Sequence, residues 1–181
     1  MQTIEEKLKT YPELPPRVAL LWGMLEATRE KTHQFVNGLS EKELSTRAVP
    51  GAHTIGTLLT HIAETELSWI KEVILGKPLT PEEKEAFRSD LYGKPDDTQA
   101  PAISLEFFLK NLEQVRHLTE ETVFKFKDAD LESIRIEKGK EKHYEDSIGW
   151  ILYHLVEHEA SHQGQIAMLK RLIKEKGGFK G

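Results

Sequence analysis

Apolar residues recur at steps of three and four along four long stretches of the chain, and this spacing predicts four helices that each bury one face. Pro15-Pro16 opens the first stretch, Asn37-Gly38 closes it, and Ser104 precedes the third as an N-cap. The predicted helices cover about residues 16–36, 54–75, 105–123 and 146–174, and the last ends at Gly177-Gly178. Four such helices predict an all-α fold, a four-helix bundle.

The segments between these helices carry other signals. Ser40-Glu41-Lys42-Glu43 has the capping-box spacing of a short helical turn, and Thr80-Pro81-Glu82-Glu83 predicts a short helix over 81–88. We therefore expect one or two short extra helices, and long crossover connections between the main ones. Residues 124–146 lose the helical period and predict either a long loop or a small hairpin.

The composition is typical of one soluble domain. The chain has 181 residues, of which 38% are apolar and 30% charged, and its formal net charge is −5. This length suits one hydrophobic core, so we interpret residues 1–181 as a single domain. A mildly acidic chain without a basic stripe is a poor partner for nucleic acid or an anionic membrane. No signal peptide or membrane-spanning apolar run is visible, so we expect a cytoplasmic protein.

The chain has no cysteine. This excludes disulfides, zinc bound by thiolates and a nucleophilic thiol of the protein itself. Any sulfur chemistry would therefore need a thiol that a substrate or cofactor brings in.

The second and fourth predicted helices resemble each other. They share the pattern I-G-x-[IL]-L-x-H-[IL]-[AV]-E-x-E at a constant offset of 93 residues, beginning at Ile55 and Ile148. The offset matches His61 with His154, Thr65 with His158, and Trp69 with His162. Apolar periodicity alone produces many such matches, but the matched glycine, histidine and glutamates favour a pseudo-twofold arrangement. The histidine of the second helix would then face the fourth helix at the depth of its histidines.

The fourth helix carries three histidines at steps of four, His154, His158 and His162. Residues at this spacing are about 40° apart around a helix and roughly 6 Å apart along it, so two such imidazoles can bind one metal ion. Over eight residues the angle grows to about 80°, so the three cannot be equally central. One pair from this helix plus His61 is the economical set, and the spacing leaves both 154/158 and 158/162 open. Neutral imidazoles suit zinc, nickel, copper or iron(II).

Two other interpretations of these histidines are a solvated histidine-rich face and a zincin protease. The neighbouring Leu155 and Ile166 disfavour the first. The letters from His158 to His162 match the protease motif, but no later histidine supplies its third ligand. Gly164 lies inside the same helix, where glycine costs about 1 kcal/mol relative to alanine, and this indicates close approach of another helix.

The stretch HEASHQGQI resembles the H-x-x-x-H-[RQ]-G-Q-[IL] signature of the DinB-like (YfiT-like) metalloenzyme superfamily, and GTLLTHIAETELSW resembles its second-helix motif. The resemblance implies a four-helix bundle, a homodimer, and a divalent ion bound by His61, His158 and His162. Zinc or nickel is the expected ion, with iron and manganese as alternatives. His154 is then a residue of the surrounding pocket. Gln163 stands where the family commonly has arginine, and the sequence does not explain the difference.

Relatives in this superfamily include S-transferases and isomerases that use bacillithiol, mycothiol or a similar low-molecular-weight thiol. The resemblance therefore implies a metal-dependent enzyme that transfers such a thiol to a small electrophile, with catalytic residues that the sequence does not identify. Glu64, Glu157 and Tyr153 are candidates for proton transfer, although glutamates on such helices more often form surface salt bridges. A metal-dependent hydrolase and a non-catalytic, stress-associated metal-binding dimer are the alternatives, and a fourth protein ligand would indicate the dimer.

Overall fold

The computed structural model describes residues 7–87, 102–138 and 143–176, and it confirms the predicted all-α class. The elements in these ranges are, in chain order, α1 (Pro16–Val36), α2 (Glu41–Ser45), α3 (Ile55–Leu67), a π-helical segment (Ser68–Ile74), α4 (Pro81–Ala86), α5 (Leu105–Val123), a 3₁₀ turn (Asp128–Glu132), β1 (Ile134–Lys138), β2 (His143–Ser147) and α6 (Ile148–Lys176). The predicted stop at Gly177-Gly178 and residue 88 of the predicted short helix lie outside the described residues. None of the helices in the described ranges is long and apolar enough to cross a membrane.

Local sequence signals mark the starts of α1, α2, α3 and α5 at the positions expected from the sequence. The hydroxyls of Thr54 and Ser104 accept hydrogen bonds from backbone N–H groups in the first turns of α3 and α5. Ser40 and Glu43 form the reciprocal capping box of α2. Pro16 occupies the first position of α1, where its missing N–H leaves no helical bond unmade.

The segment between α5 and α6 contains a hairpin, which decides between the two interpretations of residues 124–146. Its strands pair antiparallel, in a register that places Ile134 opposite Ser147. The helix α6 begins at the next residue, and the backbone N–H of Ile148 donates to the carbonyl of Ser133 at 3.0 Å. The hairpin therefore fixes the start of the helix that carries the three histidines.

Each of the four long helices packs against two others. The helix α1 contacts α6 and α5, and α3 contacts α5 and α6. Two apolar clusters fill the interior, one that includes Leu59 and Ile166 and another that includes Trp22 and Leu152. The helices α1 and α6 run from the second cluster to the first, whereas α3 and α5 run from the first to the second. Because α3 and α5 are parallel, a long connection has to join them.

A layer of buried charge separates the two apolar clusters. Arg29 of α1, Glu66 of α3, Arg116 of α5 and Glu159 of α6 are all buried. Nε of Arg29 donates to Oε1 of Glu159 at 2.8 Å, and Nε of Arg116 donates to Oε1 of Glu66 at 2.9 Å. Each arginine also reaches the other glutamate, at 2.7 and 3.3 Å. The four side chains therefore form one network across all four helices, which we call the charge layer.

The charge layer has a pseudo-twofold arrangement. Glu66 and Glu159 occupy matching positions of the sequence repeat. Each also accepts a hydrogen bond at 2.6 Å from a threonine that lies three residues after an arginine. Thr32 of α1 donates to Glu159, and Thr119 of α5 donates to Glu66. The pseudo-symmetry thus relates α1 to α5 and α3 to α6.

Opposite charges in this layer keep Glu66 and Arg29 ionised. Burial alone would raise the pKa of the Glu66 carboxyl, but the positive charges of Arg116 and Arg29 outweigh it and lower that pKa to about 2. Burial disfavours the charged form of Arg29 as well, yet Glu159 and Glu66 outweigh it and raise the pKa of the guanidinium. Removing one partner from such a layer leaves an uncompensated charge in the core.

Replacing Arg29 with methionine should destabilise the fold strongly. The change leaves Glu159 and Glu66 short of a partner, so we expect the free energy of unfolding to fall by about 3–5 kcal/mol in urea denaturation. The matched control is Arg17→Met, because the guanidinium of Arg17 pairs with Glu132 at the surface. That variant should lose less than about 1 kcal/mol. Equal losses in the two variants would show that the charge layer does not hold the helices together.

Candidate metal centre

The structure brings together the side chains of His61, His158 and His162, the three residues that the family resemblance selects. His61 lies on α3 and the other two lie on α6, where these helices pack against each other. Nε2 of His158 lies 3.2 Å from Nε2 of His61 and 3.1 Å from Nε2 of His162. Over the part of the chain that is described, these three residues form a group whose ligand atoms all lie within 4.8 Å of one another. We call them the histidine cluster.

The spacing of the histidine cluster fits a shared metal ion. Imidazole nitrogens bind zinc at about 2.0–2.1 Å, so two of them on one ion lie roughly 3.0 Å apart at a right angle and roughly 3.4 Å apart at the tetrahedral angle. The two Nε2 separations of 3.1 and 3.2 Å fall within this range. Neutral imidazole nitrogens are also ligands that zinc, nickel, copper and iron(II) accept. The residues present could therefore hold a divalent ion.

A hydrogen bond orients one imidazole of the cluster. Nδ1 of His162 lies 2.8 Å from Oε1 of Gln165, which is one turn further along α6. An amide oxygen only accepts, so this contact places the proton of the neutral ring on Nδ1. Nε2 of the same ring then carries the lone pair, and it lies 3.1 Å from Nε2 of His158.

Burial keeps the central imidazole neutral. It lowers the pKa of His158 to about 3, and the neighbouring His162, His61 and His154 act in the same direction. Burial also lowers the pKa of His162, against the opposing effect of its hydrogen bond to Gln165. A metal ion binds the neutral form of imidazole, so these two rings have no proton to lose at neutral pH.

His154 does not join the histidine cluster. Its ring centroid lies 6.0 Å from that of His158, and its face stacks on Trp150 with a centroid separation of 4.9 Å and 4° between the ring planes. Sequence spacing left both pairs of α6 histidines open. The geometry brings together the pair 158/162.

The histidine cluster lies at the contact between α3 and α6 and is partly exposed to solvent. The side chain of His61 is 41% exposed, and His158 and His162 are half-buried. Two cavities of about 410 and 340 Å³ lie along α1, both lined by Arg29 and His33, and neither includes a member of the cluster. A small molecule could therefore reach the three Nε2 atoms from solvent.

The candidates for proton transfer lie beside these rings. An oxygen of Glu64 lies 3.9 Å from Nδ1 of His61, and an oxygen of Glu157 lies 3.8 Å from Nδ1 of His154. Both distances exceed a hydrogen bond. Tyr153 is exposed. The geometry assigns none of the three a catalytic role.

Gln163 and Gly164 are neighbours on α6 but have different environments, one buried and one exposed. The side-chain amide of Gln163 donates to the Thr28 carbonyl at 2.7 Å and to the Thr32 hydroxyl at 3.0 Å, so this residue ties α6 to α1 beside the charge layer. The prediction that Gly164 admits another helix is wrong. A Cβ at this position would meet nothing within 4 Å among the described residues, because Gly164 lies on the exposed side of α6.

The spacing of apolar residues in the sequence does not reveal the charge layer that lies behind the histidine cluster. Charged residues on helices are usually exposed, so the period of the apolar positions gives no sign that Arg29 or Arg116 is buried. The signal that could have found the layer is the internal repeat, which matches Glu66 with Glu159. Glu159 also follows His158 directly in the chain, so the layer and the cluster share one turn of α6.

The chain is similar to known proteins in both sequence and fold. A family model described as mycothiol-S-transferase matches residues 20–175. The chain is also similar to a crystal structure described as that of a conserved protein of locus from Enterococcus faecalis, with a TM-score of 0.68 and 13% sequence identity, over 86% of this chain and 96% of that one. At this identity the likeness shows the fold alone. No curated protein matches the sequence.

In the metal-free protein we expect His162 to be the Nδ1–H tautomer and His158 to stay neutral as the pH falls from about 7 to about 5. The hydrogen bond to Gln165 fixes the tautomer of His162, and burial keeps His158 neutral. Nitrogen–proton correlation NMR spectra of the imidazoles, recorded after chelator treatment, measure both. Gln165→Ala should give His162 a mixture of tautomers. Protonation of His158 near the ordinary value of 6.5 would contradict the buried placement of this ring.

Proposed function

Since this chain belongs to the mycothiol-S-transferase family, we propose that it transfers a low-molecular-weight thiol to a small electrophile at a divalent metal ion held by His61, His158 and His162. The observation that carries the proposal is the convergence of three imidazole Nε2 atoms from α3 and α6. The family match over residues 20–175 includes all three histidines.

The chain has no cysteine, so the reacting thiol has to come from a substrate. A divalent ion such as zinc or nickel, when bound, supplies a Lewis acid that lowers the pKa of this thiol and favours its thiolate. The three histidines are uncharged ligands, so they would leave the full positive charge of the ion available for this purpose.

The transfer forms one bond and breaks another. The thiolate sulfur donates an electron pair to an electrophilic carbon, and the leaving group departs with the electron pair of its bond to that carbon. For a thiol R–SH and a halide R′–X, the products are R–S–R′, X⁻ and H⁺, and no oxidant or reductant is needed. Binding of both substrates beside the histidine cluster would hold the sulfur and the carbon in reacting position.

The open arrangement of the histidine cluster favours an enzyme over a non-catalytic metal site. Structural zinc sites are usually closed by four protein ligands, whereas catalytic sites keep three and leave a position for water or substrate. His154 is the histidine on α6 that could supply a fourth ligand, but its ring stacks on Trp150 instead. This observation supports the transferase over the metal-binding dimer.

Conjugation assays test the proposal. Protein loaded with zinc or nickel should consume mycothiol or bacillithiol together with an alkyl halide, and chelation should stop the reaction. His158→Ala removes the central ligand, so we expect it to lower kcat/KM at least about a hundredfold. The matched control is His117→Ala, which removes an exposed histidine on α5 and should change little. Equal turnover by wild type and His158→Ala would rule out catalysis at the cluster, and so would no turnover of any thiol by the loaded protein.

Gln165→Ala should weaken metal binding without removing a ligand. The change deletes the acceptor that fixes the tautomer of His162, and such outer hydrogen bonds contribute on the order of 10–100-fold to metal affinity. Competition with a chromogenic chelator measures the affinity. Gln114→Ala, an exposed glutamine on α5, is the control. An unchanged affinity in Gln165→Ala would mean that this hydrogen bond does not prepare His162 for the ion.

A further inference from the structure

A second group of rings lies beside the histidine cluster, on α6 and on the π-helical segment that follows α3. The indole of Trp69, in the π-helical segment after α3, meets the imidazole of His154 edge-on, with ring centroids 5.5 Å apart. Trp150, one turn before His154 on α6, stacks on the same imidazole at 4.9 Å and meets Trp69 at 6.0 Å. We call these three residues the aromatic cluster.

Two members of the aromatic cluster are pseudo-twofold counterparts of two members of the histidine cluster. The sequence repeat matches His154 with His61 and Trp69 with His162. The contacts follow the same correspondence, because the edge-on pair of Trp69 and His154 at 5.5 Å matches the edge-on pair of His162 and His61 at 5.1 Å. These two pairs therefore occupy equivalent positions of one duplicated framework, whereas Trp150 matches Thr57 and has no counterpart in the histidine cluster.

The equivalence does not extend to the chemistry of the side chains. Thr65 stands where the histidine cluster has His158. The indole of Trp69 is a donor only and has no lone pair to offer a metal ion. The histidine cluster thus has three imidazoles, whereas the aromatic cluster has one imidazole and two indoles.

The ring surface of the aromatic cluster is accessible from solvent. Trp150 is 43% exposed although it is one of the largest apolar side chains, and Trp69 and His154 are half-buried. The π-helical segment begins at Ser68, and such segments often occur at functional sites because they redirect side chains. A carboxylate oxygen of Glu157 lies 3.8 Å from Nδ1 of His154, which disfavours an anionic ligand at this position.

We infer that the aromatic cluster binds the flat, uncharged aromatic part of the electrophile. The inference rests on the proposed function, since it takes the histidine cluster as the place where the thiol reacts. The ring centroids of His154 and His158 are 6.0 Å apart, so the aromatic cluster adjoins the histidine cluster, and a ligand bound to its rings would lie next to the place where the thiol reacts. Aromatic rings favour stacked or edge-on contacts, and each adds roughly twofold to tenfold in affinity beyond the burial of area.

Quenching of tryptophan fluorescence tests the binding without turnover. Trp69 and Trp150 are two of the three tryptophans, and the third, Trp22, is only 2% exposed. The probe is 4-nitrobenzyl alcohol, an uncharged aromatic quencher. Its control is nitroethane, which has the same nitro group and no ring. We expect 4-nitrobenzyl alcohol to quench with saturation in both wild type and His158→Ala, and nitroethane to quench without saturation. Unsaturable quenching by both compounds would overturn the inference.

A kinetic comparison tests the link to the reaction. 2-Phenylethyl bromide and butyl bromide react at similar primary carbons, and only the first carries a ring. Trp150→Leu should raise KM for the phenylethyl compound roughly twofold to tenfold and leave KM for butyl bromide unchanged. Trp150→Phe keeps a ring and should retain most of the preference. Tyr144→Leu removes an exposed ring from β2 and should change neither value. An unchanged preference in Trp150→Leu would overturn the inference.

The two experiments separate a failure of the inference from a failure of the proposed function. If the metal-loaded wild type converts neither bromide, the proposed function fails, and the quenching titration alone decides whether the aromatic cluster binds rings. If both bromides react equally well and quenching does not saturate, the inference fails while the thiol transfer stands.

Discussion

Four buried charges determine how the helices of this protein fit together. Arg29, Glu66, Arg116 and Glu159 come from four different helices, and each arginine bonds both glutamates. An unpaired ion in an apolar interior is costly, so each helix is restricted to positions that keep its charge within reach of the others. Glu159 follows His158, and Glu66 lies little more than one turn beyond His61. The charge layer therefore also sets the separation of α3 and α6 where the histidines meet.

The duplicated core supports two neighbouring clusters of rings that differ in their chemistry. The core keeps its pseudo-symmetry because a charge layer is stable only when every member has its partners. Both clusters are partly exposed to solvent and have no such constraint, so Thr65 and Trp69 can stand where the other half of the repeat has His158 and His162. Under the proposed function, the histidine cluster binds the metal ion and the aromatic cluster binds the electrophile beside it, and a transfer between two substrates needs two such neighbouring places.

The fold was predictable from the sequence to the extent that its signals are local. Helix periods and the caps at Thr54 and Ser104 act within a few residues, and the family match confirms the resemblance to the DinB-like superfamily. The pairs 154/158 and 158/162 are equivalent on an isolated helix, so only the packing of α3 against α6 distinguishes them. The charge layer could not be read from the apolar pattern, because burial of a charge depends on partners from other helices.

The most direct test of a metal ion at the histidine cluster is the metal content of the purified, tag-free protein. The protein is reconstituted with zinc or nickel, and the bound metal is measured by elemental mass spectrometry. The wild type should hold about one ion per chain, because Nε2 of His158 already lies 3.2 Å from Nε2 of His61 and 3.1 Å from Nε2 of His162, which is the spacing of ligands on one ion. His158→Ala should hold close to none, and His154→Ala should hold as much as the wild type. A wild type that binds no stoichiometric metal, or a His158→Ala variant that binds as much as the wild type, would contradict this account.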